Sequence, residues 1–101
     1  MTYVDNYRFH RRAKMVFLQL EPDEQAQLRE RLLSLDGIPA AQWPAALARR
    51  LPGDHPLYLV RVNDSLRAFV QVVEGQQPEV LDIASQEMLD FLAQAAAKNG
   101  T

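Results

Sequence analysis

The 101-residue chain has no cysteine, which excludes thiol nucleophiles, thiolate zinc sites and disulfide staples. Its four glycines, Gly37, Gly53, Gly75 and Gly100, stand apart from one another, so no glycine-rich loop is present to cradle a phosphate. There are only two histidines, His10 and His55. One falls at a helix start and the other in a proline-rich loop, a placement that favours surface residues over an acid–base pair. No His/Asp/Glu spacing matches a metal site, so neither a metal nor a cofactor is expected. No apolar run approaches eighteen residues, and no basic segment followed by a continuous apolar one opens the chain. The expectation is a cytoplasmic protein without a membrane span. A net charge of −2 denies the molecule any global attraction to polyanions.

An apolar fraction of 48% with 24% charged residues suits one globular domain spanning residues 1 to 101. The charge is unevenly distributed. Residues 1 to 14 carry Arg8, Arg11, Arg12 and Lys14 against Asp5, whereas beyond Val70 the acids Glu74, Glu79, Asp82, Glu87 and Asp90 face Lys98 alone. The middle adds Arg49, Arg50, Arg61 and Arg67, so any polyanion binding must come from these local clusters. Arg11, Arg12, Lys14, Arg49 and Arg50 are the candidate contacts to nucleic acid or a partner, with solvated helix faces as the plainer explanation.

Tyr3, Asp5 and Tyr7 alternate with Val4, Asn6 and Arg8, which permits a short first strand ending near Phe9. From His10 to Leu20 the apolar residues Ala13, Val16, Phe17 and Leu20 recur at i, i+3, i+4 and i+7, the face of a helix. Glu21-Pro22-Asp23-Glu24 stops that helix and starts another, which carries Leu28, Leu32 and Leu35 on one stripe and ends at Asp36-Gly37. Two such helices joined by a few residues form an αα-hairpin. Pro39, Pro44, Pro52 and Pro56 then mark a structured connector, in which residues 44 to 51 could form two helical turns bearing Arg49 and Arg50. Trp43 in this connector is read as a plug onto the core rather than an exposed anchor for a partner.

The segment from Leu57 to Val73 reads as two half-buried strands around Asn63-Asp64-Ser65, with one arginine in each strand. A three-residue loop sets Arg61 opposite Arg67 on one sheet face; a two-residue loop sends them to opposite faces. Two adjacent cations on one face repel unless an anion lies between or over them. Val80, Leu81 and Ile83 supply a third strand. Ser85 caps a last helix to about Lys98, with Met88, Leu89, Leu92 and Ala96 inward and Asn99-Gly100 closing it. The expected fold is α+β: an N-terminal αα-hairpin after a short strand, packed on an antiparallel β-meander, with a C-terminal helix.

In this order of elements the chain resembles the RelE/ParE superfamily, the small toxins of bacterial type II toxin–antitoxin pairs. The resemblance is carried by the helical pair from Phe9 to Leu35, the connector Ala48-Arg49-Arg50-Leu51-Pro52-Gly53, the strands Tyr58-Leu59-Val60-Arg61-Val62 and Leu66-Arg67-Ala68-Phe69-Val70, and Val80-Leu81-Asp82-Ile83. It implies an antitoxin as resting partner and ribosome-bound messenger RNA or DNA gyrase as target. It also implies that Arg61 and Arg67 are the catalytic basic residues, stabilising the charge that develops when a ribose 2′-hydroxyl attacks the adjacent phosphate. The basic pair and following tyrosine that RelE-like nucleases carry after the third strand are replaced here by Ser85-Gln86 and by Phe91 or Leu92. Loss of such an arginine costs on the order of 3 kcal/mol of transition-state stabilisation, so at most a weak endoribonuclease is expected. The alternative is a non-catalytic protein–protein interaction module that keeps the fold, with Arg61 paired to Asp64, Asp82 or a partner carboxylate.

Overall fold

The computed structural model describes the backbone of residues 4–99 and the side chains of residues 4–95. Tyr3 and Gly100, with the side chains of Ala96, Lys98 and Asn99, lie outside the described residues. In chain order the elements are β1 (Arg8–Phe9), α1 (Arg11–Gln19), α2 (Pro22–Leu35), a 3-10 turn (Ala40–Gln42), β2 (Ala48–Arg50), β3 (Leu57–Arg61), β4 (Leu66–Gln71), β5 (Glu79–Ser85) and α3 (Gln86–Asn99). The architecture is α+β, with five strands in one sheet in the order β1-β5-β4-β3-β2.

Local chemistry sets the helix ends. His10 caps α1, its Nδ1 accepting the Arg12 backbone N–H at 3.2 Å. Pro22 occupies the first turn of α2, where its missing N–H is no loss, and Glu24 reaches back to accept the Glu21 backbone N–H at 3.2 Å. Gly37, at a φ of 79°, supplies the left-handed residue that stops α2.

The core is built from one stripe of each of the first two helices and one face of the sheet. Ala13 and Phe17 of α1 and Leu28, Leu32 and Leu35 of α2 are buried with Val60, Val62, Leu66, Ala68, Val70, Val80 and Ile83. Phe9 meets Phe17 edge-on at 5.8 Å between ring centres. Two polar ties lock the helical layer: the buried Tyr7 hydroxyl donates to the Leu32 carbonyl at 2.7 Å, and the Trp43 indole N–H donates to the carbonyls of Leu35 at 3.2 Å and Ile38 at 2.9 Å. Trp43 also packs edge-on against Tyr58 at 5.2 Å, so it plugs the connector onto the core.

The structure departs from the expected layout in four places. The meander β3-β4-β5 is antiparallel, but β1 adds to it in parallel at β5, which makes the sheet mixed. The strand at the start is two residues long, because the chain turns through Asn6, at a φ of 68°, before it pairs. Residues 44 to 51 do not form two helical turns. Leu47 and Ala48 close a single turn on the Pro44 carbonyl, and the chain then pairs Ala48, Arg49 and Arg50 with Val60, Leu59 and Tyr58 as edge strand β2. Finally, Met88 and Leu92 do not point inward: Met88 is 53% exposed, Phe91 66% and Leu92 53%. The helix forms as expected, with Ser85 Oγ accepting the Met88 N–H at 3.0 Å. Of the residues expected inward, Leu89 is half-buried, whereas Met88 and Leu92 find no matching surface in the core.

Candidate functional site

Alternation along β4 separates Leu66, Ala68 and Val70, which are buried against the helices, from Arg67, Phe69 and Gln71, which stay partly exposed on the other face. Cross-strand partners share a face, so the register assigns Arg61, Leu59 and Leu57 to that open face, opposite Arg67, Phe69 and Gln71 respectively. Arg49 joins them as the partner of Leu59, and Asp82 as the partner of Phe69. Between Val80 and Asp82 the pairing with β4 skips Leu81. This extra residue lets both Val80 and Ile83 reach the core although they lie three positions apart.

The turn has three residues. Val62 and Leu66 close the ladder, and the Asn63 side-chain oxygen accepts the backbone N–H groups of Ser65 and Leu66, each at 2.8 Å. This Asx geometry sets Arg61 directly opposite Arg67, so both side chains leave the strands toward the open face, with Arg61 also lining a cleft against Gln27, Glu30 and Arg31 of α2. Each is held by a different device. Arg61 makes an ion pair with Asp64 in the turn, a carboxylate that is 94% exposed. Arg67 donates to the backbone carbonyls of Asn63 and Leu66, neutral acceptors that orient its charge without cancelling it. Asn63 is itself tied to α2 through Gln27 at 2.6 Å, and Arg31 of α2 donates to the Arg61 carbonyl at 2.9 Å. The helical layer thus braces the turn that carries the arginine pair.

The other candidate cations are distributed unequally around this pair. Arg49, Arg61, Arg67 and Leu59 line a shallow cleft of about 160 Å³ with residues 45–48. Arg50 pairs with Tyr58, which turns it to the opposite face from Arg49, so those two neighbours do not form one patch. Arg12 reaches Asp82 at 3.8 Å, and the two line a cleft of about 350 Å³ with His10, Phe69 and Leu81. Arg11, the first residue of α1, lines a groove with His10, Arg12, Met15, Val16 and Gln19, while Lys14 is exposed on the same helix. Among the described residues no group of His, Asp and Glu could hold a metal ion.

Chain pattern alone did not reveal Arg31 and Gln27 as braces of this surface, because their partners lie 30 or more residues away, and Asp82, offered by the sequence as a partner of Arg61, stands instead opposite Phe69 and beside Arg12. His10 is engaged as a helix cap and His55 is exposed in the loop before β3.

Two solved structures superpose on this architecture. A chain of the archaeal RelE–RelB complex from Pyrococcus horikoshii OT3 matches over 85% of this chain and 97% of its own length, with a TM-score of 0.61 and 19% identity. The toxin–antitoxin complex RelBE2 from Mycobacterium tuberculosis matches over 79% and 95%, with a TM-score of 0.60 and 16% identity. The fold is that of a RelE-like toxin. No family model and no curated protein matches the sequence itself, so the RelE-like likeness lies in backbone architecture. No described helix is long and apolar enough to cross a membrane.

Proposed function

We propose that the chain is the toxin component of a type II toxin–antitoxin system and engages RNA through the open sheet face. The observation that carries this reading is the Arg61–Arg67 pair. Like charges directly opposite on a ladder are destabilising, and among the described residues the exposed Asp64 alone forms an ion pair with either of them. A phosphate bridging the two guanidinium groups would relieve that repulsion with charge-assisted hydrogen bonds. Arg49 extends the positive surface on one side and Arg12 on the other.

Both structural neighbours come from toxin–antitoxin complexes, which supports an antitoxin as the resting partner. The exposed apolar residues Met15 and Leu18 on α1, and Met88, Phe91 and Leu92 on α3, offer such a partner apolar surface to cover. Arg61 and Arg67 supply electrostatic stabilisation for phosphoryl transfer, the basis for reading the chain as at most a weak ribonuclease.

The Arg61–Asp64 ion pair favours a second reading, a non-catalytic interaction module in which these arginines serve structure and protein contact alone. Controlled expression in a bacterial host separates the two. The toxin reading expects growth arrest that is relieved by Arg61→Gln with Arg67→Gln and by co-expression of a small reading frame adjacent to the gene. Unimpaired growth with abundant folded protein would overturn it in favour of the module.

A further inference from the structure

One cleft on the open face is left unexplained by the arginine pair. It lies between the start of α1 and β5, and it combines an aromatic ring, Phe69, an aliphatic wall, Leu81, a carboxylate, Asp82, and a guanidinium, Arg12, with His10 at its rim. Phe69 is only half-buried although it sits in the middle of the central strand. The bulge at Leu81 brings Leu81 and Asp82 to the same stretch of surface. Asp82 Oδ1 accepts its neighbour's Ile83 N–H at 2.8 Å, while Oδ2 stands 3.8 Å from Arg12, beyond hydrogen-bonding distance. The carboxylate is thus oriented by the backbone yet retains free acceptor capacity, and Arg12, 74% exposed, retains free donors.

We infer that this cleft is a guanine-binding subsite for single-stranded RNA whose phosphate lies at Arg61 and Arg67; the inference rests on the basic-face reading given above. Phe69 follows Arg67 by two residues on the same strand face, about 7 Å along the strand. That backbone spacing is of the order of the distance a nucleotide sets between its phosphate and its base. An aromatic face beside a cationic groove is how single-stranded RNA is held, with the base stacked and its Watson–Crick edge read by side chains. Guanine matches the polar groups best. Its N1–H and N2–H present two adjacent donors to one carboxylate, Asp82, and its O6 accepts from Arg12. Adenine and cytosine each offer a single exocyclic amine, and uracil one ring N–H. The Arg12 charge offsets that of Asp82, so the carboxylate does not repel the incoming strand.

The test is fluorescence-anisotropy titration of the full chain, at low salt, with the labelled tetranucleotides UUGU, UUAU, UUCU and UUUU. The wild type is expected to bind UUGU about tenfold more tightly than the other three, the discrimination of one good bidentate base contact. Asp82→Asn is expected to bring the four within about twofold of one another without weakening UUUU. Phe69→Leu, which keeps the apolar volume but removes the ring, is expected to weaken UUGU about tenfold, with circular dichroism verifying its fold. Arg61→Gln with Arg67→Gln is expected to weaken all four alike. Loss of affinity in this double variant without any guanine preference in the wild type would overturn the subsite and leave the basic face standing. Failure of all four to bind would overturn both. A preference that survives Asp82→Asn would also overturn the subsite.

Discussion

If the Arg61 guanidinium is a phosphate contact, Asp64 is its internal competitor, and removing that carboxylate should strengthen RNA binding. The ion pair sits in the three-residue turn, with Asp64 94% and Arg61 47% exposed, so it is a solvent-screened pair that contributes little to folding. Asp64→Asn should therefore leave the thermal unfolding curve in place while giving the full Arg61 charge, no longer offset by a carboxylate, to the phosphate it shares with Arg67. For single strands each phosphate contact adds about 0.7 to the steepness with which log K falls against log salt. Between 50 and 200 mM salt, a fourfold change, one contact brought to full charge makes the variant lose about 2.6-fold more affinity than the wild type, from a higher starting value. Anisotropy titrations of a short unstructured RNA at the two salt concentrations measure this directly. Adding Arg61→Gln should erase the difference between aspartate and asparagine at position 64. An unchanged salt slope in Asp64→Asn would refute the assignment of Arg61 as a phosphate contact.

Two further predictions concern the ties that brace the helical layer. Burial first, and the Asp36 charge second, push the Tyr7 hydroxyl from 10 up to about 12. The unfolded chain therefore releases this proton before the folded one does, and stability is fully present below pH 10 and falls as pH rises to 12. The two-unit gap corresponds to about 3 kcal/mol. Denaturant titrations of wild type and Tyr7→Phe should show the wild type more stable by about 1 kcal/mol at pH 7, through its bond to Leu32, and that advantage vanishing and then reversing as pH rises from 10 to 12, because the variant has no phenol to titrate. Trp43→Phe keeps a ring against Tyr58 but leaves the Leu35 and Ile38 carbonyls without their shared donor, and should cost about 1 to 2 kcal/mol by circular dichroism. A tryptophan serving only as an exposed anchor would leave stability unchanged.

The helices were legible in the sequence because their signals are local: the i, i+3, i+4 stripe of α1, the proline start of α2 and its glycine stop all stand as read. The Arg61–Arg67 register was legible as one of two choices, decided by Asn63, whose side chain builds the three-residue turn. Edge strand β2 was not legible. Three residues carry no measurable alternation, and what makes Ala48–Arg50 extended is the unpaired edge of β3 ten residues on. The parallel addition of β1 to β5 was hidden for the same reason. The stripe of α3 was read as inward because an apolar face looks alike in sequence whether it covers its own core or awaits another molecule. Arg49 and Arg50 show how adjacency misleads: consecutive strand residues face opposite ways, so one joins the open face and the other does not.

Adding the purified protein to a reconstituted bacterial translation reaction, and mapping the messenger RNA ends that result, probes the action of the arginine face most directly. The wild type should lower protein synthesis and generate new messenger RNA ends only when ribosomes are present, while Arg61→Gln with Arg67→Gln should do neither. Full synthesis and intact messenger RNA in the presence of excess folded protein would mean that the paired guanidinium groups serve some purpose other than binding RNA.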